Sequence, residues 1–404
     1  MSEWKYKLFK NCIQSQQSRF PTVPEKEYLA TGKLPIIDQG AKLIAGYTND
    51  ITLAYSGAMP AIVFGDHTRI FKFIDYNFAI GADGTKVFSP NEEFDPKFFY
   101  YALLALSLPN DGYGRHYKHL KVSKIPWLPL PEQQAIASRL SRQMEEIERM
   151  RRVAERQLES ANKLLISWID NEVAELDQSS GKLADVLLEE PQNGWSPTCD
   201  NKHGGIPVLT LSAVTGFRYR GNQYKLTSEP TDENAHYWVK KDDLLITRSN
   251  TEELVGHATI CDGTPNKAIY PDLIMRTRVN SEKANLEFVH LWLMSSCTRR
   301  YIMQEARGAN PTMKKINKDI VNEIPFPSDS TVEEQTEILS SLKSVISNGR
   351  NIELYAEKQL EAINSLPSAY LREVFGIFEP PELDELPDID DEAEELEEED
   401  EQED

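Results

Sequence analysis

Cysteine is scarce and unpatterned in this sequence. The four present, Cys12, Cys199, Cys261 and Cys297, sit far apart with no Cys-x-x-Cys spacing, which argues against a cysteine-rich metal site and a disulfide framework. No run of about 18 or more apolar residues occurs, so no membrane-spanning helix is expected. The first residues, Met1-Ser2-Glu3-Trp4-Lys5, have no apolar segment behind a basic start; the expected compartment is the cytoplasm. Phosphate-cradling loops are missing too. Neither Gly-x-x-x-x-Gly-Lys-Ser/Thr nor Gly-x-Gly-x-x-Gly is found, and no Asp/Asn-Pro-Pro-aromatic tetrapeptide is present to hold a target amine for methylation. Gly65-Asp66-His67 offers an acid or base, but no nucleophile or metal constellation accompanies it. Neither a catalytic nor a metal-ligating residue is therefore expected.

Positive charge is absent from one end. The net charge is -21, yet 17 of the 65 carboxylates lie between Glu379 and Asp404, where no Lys or Arg occurs. The rest of the chain is close to neutral and free to present local basic faces. Residues 377–404 are expected to be a disordered acidic tail, since so charged a segment has little to bury. Solubilisation is its expected role, with competition for a basic surface as the sharper alternative.

What the chain does have is a duplication. Val122-Ser123-Lys124-Ile125-Pro126 is echoed by Val321-Asn322-Glu323-Ile324-Pro325, and Glu132-Gln133 by Glu334-Gln335. A constant offset of 202 then pairs Ile136 with Ile338, Leu140 with Leu342, Ala154 with Ala356 and Glu155 with Glu357. From Glu132 to about Glu175 the apolar positions Ile136, Leu140, Met144, Ile147, Met150, Ala154, Leu158, Ala161, Leu165 and Trp168 recur every three or four residues. That spacing predicts a long amphipathic helix of coiled-coil character, roughly 65 Å in length. The second copy runs through Ile338, Leu342, Val345, Ile352, Ala356, Leu360 and Ile363, with a break expected at Pro367 and an end by Gly376. A narrow apolar stripe needs a partner, and the other copy is the simplest one. Connectivity favours antiparallel packing, with the two globular units at opposite ends of a shared rod.

The globular parts correspond more loosely. Gly32-Lys33-Leu34-Pro35-Ile36-Ile37 resembles Gly205-Ile206-Pro207-Val208-Leu209, and Ala61-Ile62-Val63-Phe64 resembles Leu244-Leu245-Ile246. Phe98–Leu104 and Phe288–Leu293 read as equivalent helices. The expected fold class is mixed α/β: two copies of one kind of domain, joined by two long antiparallel coiled-coil helices in a pseudo-two-fold repeat. The expected division is 1–130, 131–176, 177–330, 331–376 and the tail. Near two-fold symmetry implies a partner that is itself nearly two-fold.

Polar blocks follow the apolar strands in both halves. Arg is bidentate to guanine and Asn to adenine, and both reach phosphates, so such blocks suit nucleic acid. Candidates in the first half are His67, Arg69, Lys72, Arg115, His116 and Lys118, with Tyr113 and Tyr117 interleaved. In the second half they are Arg218, Tyr219, Arg220, Arg248, Ser249, Asn250, Lys314 and Lys315. Asp83 and Asp272 correspond in place, with a turn or cap role expected for each.

These stretches resemble the DNA-specificity subunit of type I restriction–modification enzymes. Gly65-Asp66-His67-Thr68-Arg69 running into Gly81-Ala82-Asp83-Gly84-Thr85-Lys86-Val87 is similar to one target-recognition-domain subclass, and Asp243-Leu244-Leu245-Ile246-Thr247-Arg248-Ser249-Asn250 to another. The Ile-Pro and Glu-Gln entry into each helix resembles the central repeats of that family. The resemblance spans residues 1–376. It implies a non-catalytic reader of a bipartite, gapped double-stranded DNA site, each target-recognition domain taking one half and the helices setting the gap. It also implies two modification subunits that use S-adenosylmethionine for adenine-N6 methylation. Restriction subunits using ATP and Mg²⁺ would join them, with no cofactor in this chain. The alternative is a coiled-coil protein-interaction scaffold without DNA specificity.

Overall fold

The computed structural model describes residues 4–376, apart from 16–19, 82, 83, 111, 113, 179 and 309–312. The acidic tail, Ala82, Asp83 and Tyr113 thus lie outside the described residues. Contacts divide the chain into two compact units, one formed by residues up to Ala154 with those from Gln359 onward, the other by Glu155–Lys358. Each long helix contributes a part to both units.

In the first unit, Ala61–Gly65 is buried at every position and lies between Phe71–Ile74 and Thr85–Phe88 in an antiparallel sheet. An uninterrupted apolar run suits a strand covered on both faces. A second, mixed sheet has Leu34–Ile37 antiparallel to Gly46–Thr48 and parallel to Ala79–Gly81, which in turn takes Thr22–Val23. Helix α1 (Pro96–Leu104) starts where the Asp95 carboxylate accepts from the Phe98 N–H at 2.9 Å, with Pro96 in its first turn. It buries Phe98, Phe99, Ala102 and Leu103 in the main core of the unit. A short helix, α2 (Tyr117–Val122), precedes the first long helix, α3 (Leu130–Glu172).

The second unit is built on the antiparallel order Leu187–Asn193, Ile274–Val279, Leu244–Thr247, Ala258–Ile260. Helix α4 (Leu286–Met294) is the counterpart of α1, capped by the Asn285 side chain and burying Phe288, Val289 and Trp292. Helices α5 (Ser296–Glu305) and α6 (Lys318–Asn322) lead to the second long helix, α7 (Val332–Phe375).

The repeated motifs have the same structural job in both units. Lys124–Trp127, which carries Ile125-Pro126, pairs antiparallel with Lys5–Leu8 near the start of the chain. Pro325–Phe326 pairs likewise with Gly181–Lys182. Each unit is therefore closed by its own first and last strands. The glutamine of the repeated Glu-Gln completes the closure. Gln133 is fully buried; its Oε1 accepts from the Asp95 N–H at 2.8 Å and its Nε2 donates to the Glu93 and Leu128 carbonyls at 2.9 and 2.7 Å. Gln335, equally buried, accepts from the Asn285 N–H at 2.8 Å and donates to the Ser330 carbonyl at 3.2 Å. The first turn of each long helix is thus tied to the residue that caps α1 or α4. Only a group that both donates and accepts fits, which a carboxylate does not.

The long helices pack against each other within each unit. In the first, Ile147 and Ala154 of α3 share a buried cluster with Ile363 of α7, and Arg151 Nε donates to Asn364 Oδ1 at 2.9 Å. Leu140 joins Leu371 and Phe375 in the larger core. In the second unit Ile169 and Val173 join Leu342, and Ser341 Oγ donates to the Glu172 carboxylate at 2.8 Å. Partner numbers fall along α7 as they rise along α3, so the packing is antiparallel. The expected break at Pro367 does not occur: α7 passes through it to Phe375. Burial of Ile363, Leu371 and Phe375 on the first unit holds the helix across the missing N–H. It ends at Gly376, whose φ of 77° and N–H bond to the Arg372 carbonyl at 2.8 Å form a left-handed cap.

Candidate nucleic-acid interface

In the first unit, Asp66 fastens two candidate stretches together. It is buried; its Oδ1 accepts from the Tyr117 N–H at 2.6 Å and its carbonyl meets His116 Nδ1 at 2.8 Å. This sets exposed His67 beside the segment that carries exposed Arg115 and Lys118. Arg69 lies in the left-handed region at φ 60° and donates through Nη1 to the Leu108 carbonyl at 3.2 Å. His116 is wholly buried. Lys72 is buried as well, its ammonium held by the Asp38 and Lys42 carbonyls at 2.7 and 2.6 Å. Burial lowers its pKa, against which the nearby Asp38 carboxylate acts. Sequence reasoning missed Lys86 and Lys121, whose ammonium groups lie 5.8 and 5.6 Å from the Tyr117 ring centre.

In the second unit, distant candidates meet on one ribbon. Ser249–Asn250 pairs antiparallel with Lys314–Lys315, with Ser249 opposite Lys315 and Asn250 opposite Lys314. Lys315 bridges Arg307 on its other side, adding a cation that the sequence did not single out. Lys315 and Arg307 are exposed, whereas Ser249 is buried. Arg218 and Arg220 do something else. Both bind Glu357 of α7, at 2.9 and 2.6 Å, so they anchor their loop to the long helix. The intervening Tyr219 donates its hydroxyl to the Thr264 carbonyl. Behind the loop, Phe217 stacks on His257 with ring centres 4.1 Å apart. Burial and the Arg299 charge press the pKa of His257 down to about 3, so its Nδ1 is free to accept from the Gly216 N–H at 3.0 Å. Buried His290 is likewise held neutral, its pKa pushed down to about 4 chiefly by desolvation.

Arg248 stands apart from the ribbon cations. It lines a cleft of about 750 Å³ with Gln192, Asn193, His236, Asn317 and Lys318. These come from the edge strand Leu187–Asn193, the loop at His236, the residue that follows the strand Leu244–Thr247 and the start of α6, places far apart in sequence, and no local pattern marks them. Asp272, expected in a turn or cap role, offers its carbonyl to Arg248 Nη1 at 3.4 Å, and its carboxylate accepts from Ser196 Oγ. Among the described residues no group of three or more His, Cys, Asp or Glu is placed to hold a metal ion. None of the described helices is long and apolar enough to cross a membrane.

Two curated relatives share this sequence in part. The specificity subunit of the type I restriction enzyme EcoEI from Escherichia coli is 23% identical over 182 residues, which cover 42% of this chain and 31% of that protein. The putative type I restriction enzyme MjaX specificity subunit from Methanocaldococcus jannaschii is 23% identical over 196 residues, covering 48% of this chain and 45% of that one. This chain is similar to type I specificity subunits. The matched stretches span less than half of the length of either relative. A solved chain from a study of complex assembly and conformational transition in a type I restriction–modification system superimposes with a TM-score of 0.51. That match covers 92% of this chain and 97% of that one at 15% identity, so the fold is common to both. No family model matches the sequence.

Proposed function

We propose that this chain is the non-catalytic DNA-recognition subunit of a type I restriction–modification complex. Each unit takes one half of a bipartite, gapped site, and the antiparallel pair α3 and α7 sets the gap. The observation that carries this reading is the duplicated closure. Strand pair, buried glutamine and capped helix recur in both units, whereas the polar loops differ: an Asp66-centred knot in one, a lysine ribbon and a cleft in the other. One frame with two different polar surfaces suits a reader of two different half-sites better than a symmetric scaffold. The similarity to specificity subunits supports the same reading.

On this proposal two modification subunits bring S-adenosylmethionine and the adenine-N6 methyltransferase site. Restriction subunits bring ATP, Mg²⁺ and cleavage, and the whole works in the cytoplasm. The test is a genome-wide map of N6-methyladenine in the host with and without the gene. Loss of methylation at one gapped, asymmetric motif is expected. Should the chain, assembled with its modification subunits, show no salt-dependent DNA binding, the reading is wrong.

A further inference from the structure

We infer that the cleft beside Arg248 is where the second unit takes up base edges, a guanine at Arg248 first among them, while the lysine ribbon meets only backbone phosphates. The inference rests on the proposed DNA-reading function and divides the labour within one unit.

The division follows from which hydrogen-bonding groups are already spent. On the ribbon, Asn250 uses its Oδ1 to accept from the Thr251 N–H at 2.9 Å, and Ser249 is buried. What the ribbon offers outward is cationic: exposed Lys315 beside exposed Arg307, with the Lys314 ammonium already donating to the Gly308 carbonyl at 3.0 Å. A lysine ammonium is a point-charge donor without an acceptor, which suits phosphate oxygens, and phosphate contacts carry no base information.

The cleft is chemically mixed. Among the described residues the Arg248 guanidinium has a single long contact, Nη1 to the Asp272 carbonyl at 3.4 Å, which leaves most of its five N–H donors unspent. The Gln192 and Asn193 side chains make no hydrogen bond among the described residues; their backbones pair in the sheet opposite Arg276 and Met275, and their carbonyls also meet the Tyr270 hydroxyl and His236 Nε2. Carboxylates are present as well. Asp319 lines the cleft and accepts from Asn317 Nδ2 at 3.1 Å, and Glu190 holds Lys318 at 2.9 Å. Acceptors and carboxylates among the donors would repel a phosphate. They match a heterocycle, whose groove edge presents donors and acceptors side by side. A guanidinium with its fork unspent fits the two acceptors of guanine, and the free amides beside it fit an adjacent adenine.

The experiment is selection of bound sequences from a random duplex pool by the full chain assembled with its modification subunits, with affinity then followed against salt. Arg248→Lys keeps the charge and removes the fork. It is expected to reduce discrimination at one guanine position of one half-site by roughly ten- to a hundredfold while leaving the other half-site untouched. Asn193→Ala, an exposed change that spares the core, is expected to relax a neighbouring position. Lys315→Gln is expected to weaken all sequences alike and lower the salt slope by about one. A thermal melt of each variant separates misfolding from altered reading. Unchanged preference at every position in both Arg248→Lys and Asn193→Ala, with the unaltered chain still selecting a motif, overturns the inference alone. Failure of the unaltered chain to select any sequence overturns the DNA-reading function, and this inference with it.

Discussion

Gln133 and Gln335 show how much a single side chain can organise. Each amide is buried in the first turn of a long helix and satisfies both a cap residue and a chain carbonyl. Gln133→Ala and Gln335→Ala are each expected to cost about 1–3 kcal/mol, because a buried N–H and a buried carbonyl lose their partners. Chemical denaturation of each variant checks this, and a neutral result would make the clip incidental. The buried histidines predict an acid dependence. In the folded chain His257 and His290 have pKa values lowered from 6.5 to about 3 and about 4. The unfolded state therefore binds more protons below pH 6.5, and the stability they contribute is present above that value and lost progressively as pH falls toward their folded values. Unfolding followed from pH 7 to pH 4 should show this decline, and His290→Gln should flatten it. At this scale the sequence was least legible. Lys72, Arg218 and Arg220 carry the right chemistry for DNA, yet Lys72 satisfies two carbonyls of the chain and the arginines share Glu357. Nothing local distinguishes a cation committed to the fold from one offered to a ligand.

Elements were far more legible, because periodicity is a local property. Steps of three and four in the apolar residues foretold both long helices, and the paired apolar runs foretold Leu34–Ile37 with Ile206–Leu209 and Ala61–Gly65 with Leu244–Thr247. Pro367 is the exception. Its local signal says stop, but three buried apolar neighbours on the same helix outweigh one missing hydrogen bond. Pro367→Ala should therefore raise the melting temperature, by an amount equivalent to at most about 3 kcal/mol. Packing between the helices is close at Ala154, which is wholly buried against Ile363. Ala154→Leu is expected to destabilise the first unit by about 1–3 kcal/mol through overpacking, measurable in the same denaturation experiment. The ribbon was illegible for the opposite reason: Ser249 and Lys315 pair across 66 residues of sequence, and no window of local pattern reaches that far.

For the whole molecule, the duplication in the sequence predicted the duplication in space, since two copies of one folding instruction give two copies of one closure. On the proposed function, removing matched turns from α3 and α7 should change the spacer between half-sites and leave the half-sites intact. A methylation map with an unaltered spacer would refute the ruler. The strand pairs that close each unit carry one more implication. Lys5–Leu8 lies beside Lys124–Trp127, and Gly181–Lys182 beside Pro325–Phe326, so the sheet-bearing part of each unit has its first and last strands side by side. A segment whose ends touch can be excised, transplanted or joined in a new order with little disturbance to what surrounds it. On the proposed function, recombination between genes for such chains would exchange one such part as a cassette, and new pairings of old half-sites would arise in one step rather than by gradual substitution.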